Sequence, residues 1–257
     1  MVSTRSLIVA TVVLSSRLLS AQAAQSLFDT PPKSVAPPAP VQLDPERRAD
    51  ILMARKMYRE AIEVYKEAPL DSAIIWNKIG IAYHQMLQLD AARKNYEKAI
   101  KLNPKYSEAI NNLGTVYYAH KSYRKATSYY QRALKLAPDS ASVYSNLGTA
   151  YFARKKYKEA AAAYQTALSL DKEVFEHHGT YGVLLEERSV LERAKFHFYL
   201  AQTYAKAGMN DRALQYIRKA LEEGFKDKKK LMEDPEFGNL RELPEFKELM
   251  ALEPRVL

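Results

Sequence analysis

An all-α fold of stacked helix pairs is predicted by a 34-residue internal repeat, by helical spacing of small and aromatic residues within each repeat, and by proline at the repeat ends. Five positions recur in three successive units: Gly80, Gly114 and Gly148; Tyr83, Tyr117 and Tyr151; Ala92, Ala126 and Ala160; Tyr96, Tyr130 and Tyr164; Ala99, Ala133 and Ala167. Pro104 and Pro138 close two of these units, because proline cannot continue a helix. No unit can bury its apolar face alone, so we expect the units to stack.

The first 23 residues have the pattern of a secretory signal peptide. Arg5 precedes an apolar run from Leu7 to Leu14, and Ala21-Gln22-Ala23 supplies a small-residue cleavage site. The run is far shorter than the ~20 residues of a membrane span, and no later stretch is apolar enough to cross a membrane. We therefore expect residues 1–23 to direct export, to a periplasm or out of the cell, and the mature chain to have no transmembrane segment.

Residues 24–44 read as a disordered, proline-rich linker. Proline fixes φ and has no amide donor, so this composition excludes a helix and favours an extended chain. A ligand for a proline-recognition domain is the alternative. The prolines at or near this segment are Pro31, Pro32, Pro37, Pro38, Pro40 and Pro45.

Within each unit, the recurring residues share helix faces. A glycine and a tyrosine lie three residues apart on the first helix, and the second helix carries two alanines seven residues apart with a tyrosine between them. The small residues let the paired helices approach closely. The tyrosine rings are expected to fill the space between these helices and the next unit.

This pattern resembles the tetratricopeptide-repeat family, whose 34-residue helix–turn–helix unit has the form W-x2-L-G-x2-Y, A-x3-F and a final P. One unit matches at Trp76, Ile79, Gly80, Tyr83, Ala92, Tyr96, Ala99 and Pro104. The resemblance implies a right-handed α-solenoid of antiparallel helix pairs. Its repeats would span 73–106, 107–140 and 141–174, after a degenerate first repeat at 45–72 and before a last repeat-like helix pair at 194–227.

The turn between paired helices departs from the family pattern. Glycine is common there in the family, but these three repeats have Leu87, Lys121 and Lys155, and only the last pair has glycine, at Gly208. Left-handed geometry costs a residue with a Cβ about 1 kcal/mol. This cost favours another shape for the three turns.

The pattern breaks at residues 175–193, which we interpret as a degenerate helical insertion. A helix is expected near Val174–Glu187, followed by a long helix from about Val190 to Lys206 that is shared with the last pair.

Residues 228–257 are predicted to form a short helical C-terminal cap. Pro235 and Pro244 each stand in the first turn of a short helix. The apolar residues Phe237, Leu240, Phe246 and Leu249 would cover the last helix, as terminal repeats require.

The resemblance also implies where a partner binds, because the first helices line the concave groove of such stacks. Asn112 and Asn146 occupy one position in successive repeats, where an amide could pair with a peptide backbone or simply be solvated. Tyr118 and Phe152 are either apolar anchors for a partner or packing between repeats. The predicted groove residues are Asn77, Lys78, Ile81, His84, Asn111, Asn112, Thr115, Tyr118, Ser145, Asn146, Thr149 and Phe152.

The positive charge of the chain is concentrated in the repeats. Residues 73–174 contain 16 Lys/Arg and 7 Asp/Glu, whereas the remaining segments nearly balance. The cations fall mostly on second helices and turns, where they are either a solvated convex face or an attraction to an acidic partner or an anionic surface. Nucleic acid is not an expected partner, because export argues against it and no nucleic-acid-binding motif occurs.

The sequence contains no recognisable catalytic constellation, so we predict a protein that is not an enzyme and needs no cofactor or metal. There is no cysteine, which excludes disulfides, thiolate metal sites and cysteine nucleophiles. His177 and His178 are adjacent and would point about 100° apart on a helix. No metalloprotease, serine-hydrolase or phosphate-loop motif is present.

Two functions follow from these observations. The first is a non-catalytic scaffold that binds a partner protein or peptide in the groove. The alternative is a structural envelope protein that is held to an anionic surface by its basic convex face.

Overall fold

The fold is an all-helical stack in the computed structural model, which describes residues 43–176 and 189–251. No strand occurs within these ranges. The helices are α1 (Pro45–Ala54), α2 (Tyr58–Tyr65), α3 (Ala73–Gln85), α4 (Leu89–Leu102), α5 (Ser107–Ala119), α6 (Tyr123–Leu136), α7 (Ala141–Ala153), α8 (Tyr157–Leu170), α9 (Val190–Lys206), α10 (Asn210–Glu222), α11 (Lys228–Glu233), a 3-10 helix (Pro235–Leu240) and α12 (Pro244–Ala251).

Successive helices pack as pairs, and the pairs stack in chain order. The pairs are α1/α2, α3/α4, α5/α6, α7/α8 and α9/α10, and each second helix also packs on the first helix of the next pair. Successive first helices also contact each other directly, α3 with α5 and α5 with α7. This arrangement confirms the predicted all-α array of helix pairs.

The recurring glycines are explained by the tyrosines of the paired second helices. A Cβ added to Gly114 would lie 2.8 Å from Cε1 of Tyr130, whose ring is completely buried. Gly80 and Gly148 stand in the same relation to Tyr96 and Tyr164. Hydrogen at this position is therefore what lets the two helices of a repeat approach around a buried ring.

The expectation that the repeat turns avoid left-handed geometry is wrong. Leu87, Lys121 and Lys155 have φ of 58°, 57° and 61°, close to the 73° of Gly208. Each turn closes a helix with two hydrogen bonds; the N–H of Lys121 donates to the carbonyl of Tyr118 (2.8 Å) and that of Ser122 to Tyr117 (2.8 Å). These bonds satisfy terminal carbonyls of the helix, and they offset the strain at the left-handed residue.

The last helix pair packs directly on the third repeat. Phe196 of α9 meets Phe152 of α7 edge-on, with ring centroids 5.6 Å apart, and lies 5.8 Å from Tyr164 of α8. The long helix predicted from Val190 to Lys206 spans those residues. Of the helix expected near Val174–Glu187, residues 174–176 form a turn, and the remainder lies outside the described residues, as does the pair His177 and His178.

A C-terminal cap covers the last pair. The ring of Phe198 in α9 stacks on Phe225 at 4.6 Å and meets Phe237 at 5.8 Å. Phe237, Leu240, Phe246 and Leu249 are all buried. The predicted signal peptide and nearly all of the predicted linker lie outside the described residues, which begin at Leu43.

Candidate partner-binding surface

The predicted groove residues all lie on the first helices of the three matching repeats, α3, α5 and α7. Their 3.6-residue period places the fifth, sixth, ninth and twelfth positions of each repeat on neighbouring faces. Helix α3 begins at Ala73 and is capped by Ser72, whose Oγ accepts a hydrogen bond from the N–H of Ile75 (3.5 Å). The start of this helix is therefore fixed by a capping side chain.

Four asparagines of the predicted groove form one continuous hydrogen-bonded chain, the amide ladder. Asn146 Nδ2 donates to Asn111 Oδ1 (3.1 Å), Asn111 Nδ2 donates to Asn112 Oδ1 (3.3 Å), and Asn112 Nδ2 donates to Asn77 Oδ1 (3.0 Å). Asn77 Nδ2 then donates to the hydroxyl of Tyr106 (3.3 Å). The amide ladder thus ties together the first helices of three repeats.

The amides of the ladder are buried, so they are not the solvated side chains that the sequence left open. Asn77 and Asn146 are 2% exposed, and Asn111 and Asn112 are 4% exposed. A buried amide without partners would be costly, and here each one finds a partner in its neighbours. The primary role of the ladder is therefore structural, because its hydrogen bonds fix the register between successive repeats.

Two threonines of the predicted set support the tyrosines of the repeat cores. The Tyr130 hydroxyl donates to Thr115 Oγ1 (3.3 Å), and the Tyr164 hydroxyl donates to Thr149 Oγ1 (3.2 Å). Burial raises the pKa of Tyr130 far above its usual range, although the bond to Thr115 opposes this. These threonines therefore satisfy buried phenols within their own repeats.

The aromatic residues of the set also pack between helices. Tyr118 is 7% exposed and its ring lies 5.1 Å from that of Tyr123, while Phe152 is 5% exposed and contacts Tyr157, Phe196 and Tyr199. Of the two roles that the sequence left open, packing is the one that these contacts support. Ile81 is likewise buried.

Lys78 is held by the N-terminal helix pair. Its Nζ lies 2.8 Å from Glu46 Oε1 and 2.7 Å from Asp50 Oδ2, both on α1. Burial opposes the charge of Lys78, but the hydrogen bonds to Asp50 and Glu46 outweigh it and raise the pKa. The charge of Lys78 therefore links α1 to the repeat at 73–106.

The two remaining predicted residues are half-buried. His84 lies edge-on to Tyr96, with ring centroids 6.5 Å apart, and burial lowers its pKa. Ser145 accepts a hydrogen bond at its carbonyl from Thr149 Oγ1 (2.9 Å).

An open cleft lies beside the amide ladder, between the N-terminal halves of α5 and α7. Its volume is about 220 Å³, and Asn111 and Asn112 contribute to its wall. Glu108 supplies its one carboxylate among the lining residues. The remaining lining residues are Ser107, Ser140, Ser142 and Val143.

Neither a metal cluster nor a membrane span is found within residues 43–176 and 189–251. No group of three or more metal-ligating side chains is positioned to hold an ion there. None of the helices in these ranges combines the length and apolar character needed to cross a bilayer.

Comparison with known families decides the class of the chain. Models of the tetratricopeptide repeat match residues 71–139, 111–174 and 194–223. The chain belongs to the tetratricopeptide-repeat family. Arrays of this family are typically non-catalytic scaffolds for protein–protein interaction. Membership of the family supports a role for this chain as a protein–protein interaction scaffold.

Several solved structures align with the chain. A crystal structure of MamA is 22% identical, with a TM-score of 0.47, and the alignment covers 70% of this chain and 96% of that chain. MamA from Desulfovibrio magneticus RS-1 is 21% identical, with a TM-score of 0.48, and the alignment covers 69% of this chain and 92% of that chain. YrrB is described as a tetratricopeptide-repeat protein with an unusual peptide-binding site. It is 19% identical, with a TM-score of 0.46, and the alignment covers 73% of this chain and 89% of that chain. No curated protein sequence matches the chain.

The amide ladder and its terminal tyrosine were missed by sequence reasoning. A usable signal existed, since the bonded asparagines Asn77 and Asn112, and likewise Asn111 and Asn146, are 35 residues apart. This spacing places the sixth position of one repeat beside the fifth position of the preceding repeat. Tyr106 lies in the loop before α5 and gives no comparable signal.

Proposed function

We propose that this tetratricopeptide-repeat protein binds an extended segment of a partner protein along the first helices of its repeats. The observation that carries the proposal is the cleft between α5 and α7, where two amides of the ladder form part of the wall. Each side-chain amide has two N–H donors and two acceptor lone pairs. Within the ladder, Asn111 and Asn112 each use one N–H donor and one oxygen lone pair. Each amide therefore has one further N–H and one further lone pair that a partner could use.

The size and lining of the cleft favour a peptide over a small molecule. Its volume of about 220 Å³ is below the ~300–1,000 Å³ of typical ligand pockets. Serine hydroxyls and amides match the hydrogen-bonding groups of a peptide backbone. An extended chain could place one or two residues here and continue along neighbouring repeats.

Filling the cleft tests the proposal without disturbing the ladder. Ser142 is exposed and lines the cleft, so Ser142→Trp should block it. Ser128 is an exposed serine on the second helix α6, and Ser128→Trp is the matched control. With purified chain as bait at high salt, we expect a partner to be retained by the wild type and by the control but lost from Ser142→Trp. Equal retention by all three proteins would refute binding in this cleft.

A second candidate function is attachment to an anionic envelope surface, and the exposure of the repeat cations favours it. Lys94, Lys101, Lys135 and Lys158 lie exposed on second helices, where they can approach a charged surface. Such attraction is screened by salt. Co-sedimentation with anionic vesicles that is lost at high salt and unaffected by Ser142→Trp would support this function over groove binding.

We also propose that the chain is exported. The pattern of residues 1–23 supports this, and mass measurement of the protein from its source cells tests it. Loss of the N-terminal segment near Ala23 is expected.

A further inference from the structure

A second open cleft lies where the repeats at 107–140 and 141–174 meet, on the side of the turns that join their paired helices. Its volume is about 610 Å³. It is formed by the turn that joins α5 to α6, the first turn of α6, and the turn that joins α7 to α8. Five of its lining side chains are cations: Lys121, Arg124, Lys125, Arg154 and Lys156. We refer to this feature as the basic cleft.

The repeat geometry explains why these cations meet. Ser122 and Lys156 are equivalent positions, 34 residues apart, and both follow a left-handed turn residue. Because α6 packs on α7, the two turns approach each other along one edge. The cations of successive turns therefore face a common space.

The basic cleft has little internal charge compensation. No carboxylate is among its lining residues. Within residues 43–176 and 189–251, Lys121, Arg124, Lys125 and Arg154 make no ion pair, and Lys156 pairs with Glu159 at 2.9 Å. Clustered like charges repel one another, and an anion bound between them would relieve that repulsion.

Part of the basic cleft is held in place before any ligand arrives. Arg154 is half-buried; its Nη1 donates to Thr127 Oγ1 at 3.2 Å, and its guanidinium lies 6.0 Å from the ring centroid of Tyr151. A guanidinium fixed in this way loses little freedom when it binds a carboxylate. The ring of Tyr123 adds an apolar wall to the cleft.

The start of α6 adds backbone donors and is unusual in its charge. Its N-terminal N–H groups have no side-chain cap, and Arg124 and Lys125 stand in its first turn. Cations are unfavourable at this end of a helix dipole. By contrast, α4, α8 and α10 have Asp90, Glu159 and Asp211 in their first turns. The sequence therefore keeps positive charge here against the local preference of the helix.

The cations of the basic cleft are not repeated at the preceding repeat boundary. At the positions of Lys121, Arg124 and Lys125, one repeat earlier, the chain has Leu87, Asp90 and Ala91. One repeat later the chain has Lys155, Lys158 and Glu159. A first turn with two cations and no carboxylate therefore distinguishes α6 from α4 and α8.

We propose that the basic cleft binds an acidic segment of a partner protein, with two or more carboxylates placed against Arg124, Lys125 and Arg154. Five cations line the cleft, so a run of acidic residues can pair with more of them than a single carboxylate or phosphate can. Arginine pairs bidentately with carboxylates, which gives the segment a defined register. This site is separate from the cleft beside the amide ladder and does not depend on binding there.

The test uses a fluorescein-labelled hexaglutamate peptide as the probe and fluorescence anisotropy with the full chain. Arg124 and Lys125 are exposed, so Arg124→Gln/Lys125→Gln should fold normally, which thermal unfolding will verify. The matched control, Lys226→Gln/Lys229→Gln, removes the same charge from exposed positions around the start of the C-terminal cap. We expect the first double variant to weaken binding by about five- to tenfold, as the loss of two exposed charge pairs implies, and the control by less than twofold.

Three outcomes would overturn the proposal. The first is undetectable binding of hexaglutamate to the wild type at low salt. The second is an equal loss in both double variants, which would show attraction by net charge without a site. The third is binding of phosphatidylglycerol vesicles, weakened by Arg124→Gln/Lys125→Gln, while the peptide fails to bind, which would identify the cleft as a membrane contact.

Discussion

Single residues of this protein act through close contacts between the two helices of a repeat. The pairing of Gly114 with Tyr130 is one example, because the ring occupies the space that any larger side chain would need. The same contact recurs at Gly80 and Gly148. Glycine is disfavoured inside helices by about 1 kcal/mol relative to alanine, so its presence at these positions reflects the packing of the ring.

Replacing Gly114 with alanine should destabilise the protein. Overpacking against a buried ring costs about 1–3 kcal/mol, which exceeds the gain in helix propensity of about 1 kcal/mol. Urea unfolding should therefore show a lower midpoint for Gly114→Ala. Gly238→Ala is the control, because a Cβ there meets nothing within 4 Å. A Gly114→Ala midpoint at or above that of the wild type would mean that the ring can move aside.

At the scale of elements, the turns between paired helices are uniform in shape although their sequences differ. The hydrogen bonds that close the helix before Leu87 are the same as those before Gly208; in each turn, two N–H groups return to the last turn of the helix. The conformation is therefore set by the pairing of the helices, and the residue at the left-handed position accepts some strain.

This interpretation predicts opposite effects at two equivalent turn positions. Leu87 is 70% exposed, so Leu87→Gly removes little packing and should relieve about 1 kcal/mol of left-handed strain. Gly208 has φ 73° and open space around it, so Gly208→Ala should cost about 1 kcal/mol through the backbone alone. Urea midpoints measure both changes. Shifts of the same sign would show that turn strain is not what distinguishes these positions.

At the scale of the whole molecule, each helix pair is stabilised by its neighbours, and the ends need a separate solution. The last pair packs on the third repeat on one side through Phe196, and on the cap on the other side through Phe198 and Phe237. At the other end, Lys78 binds Glu46 and Asp50 of the first pair. The stack thus closes with aromatic packing at its C-terminal end, and ion pairs help to join its N-terminal pair.

The cap should therefore contribute strongly to stability. Phe237 is fully buried, and Phe237→Ala is expected to cost about 3–5 kcal/mol through lost burial and a residual cavity. Met232, which is 47% exposed, provides the control Met232→Ala, expected to change stability by no more than about 0.5 kcal/mol. Thermal unfolding compares the two variants. If they unfold together, the cap packs too loosely to stabilise the array.

The sequence by itself determined the repeat, the helix pairs and the faces that they bury. It could do so because these features depend on periodicity within one chain: Gly114 and Tyr130 stand on their respective helices wherever the array is placed. It also placed the cap residues Phe237 and Leu240 correctly in the core. The shape of the turns did not follow from local propensity, because the two hydrogen bonds that close each helix offset the cost of the left-handed residue.

Only the tertiary structure decided what the groove residues do. Asn112 and Asn146 recur at one position of successive first helices, but their partners Asn77 and Asn111 belong to the preceding repeat, and the contact depends on how closely the repeats stack. The meeting of Lys125 with Arg154 in one cleft depends on the same stacking. Periodicity fixes the direction in which a side chain points from its own helix. Hydrogen-bond partners, burial and the clustering of charge are fixed by the distance to the next repeat, which no single repeat encodes.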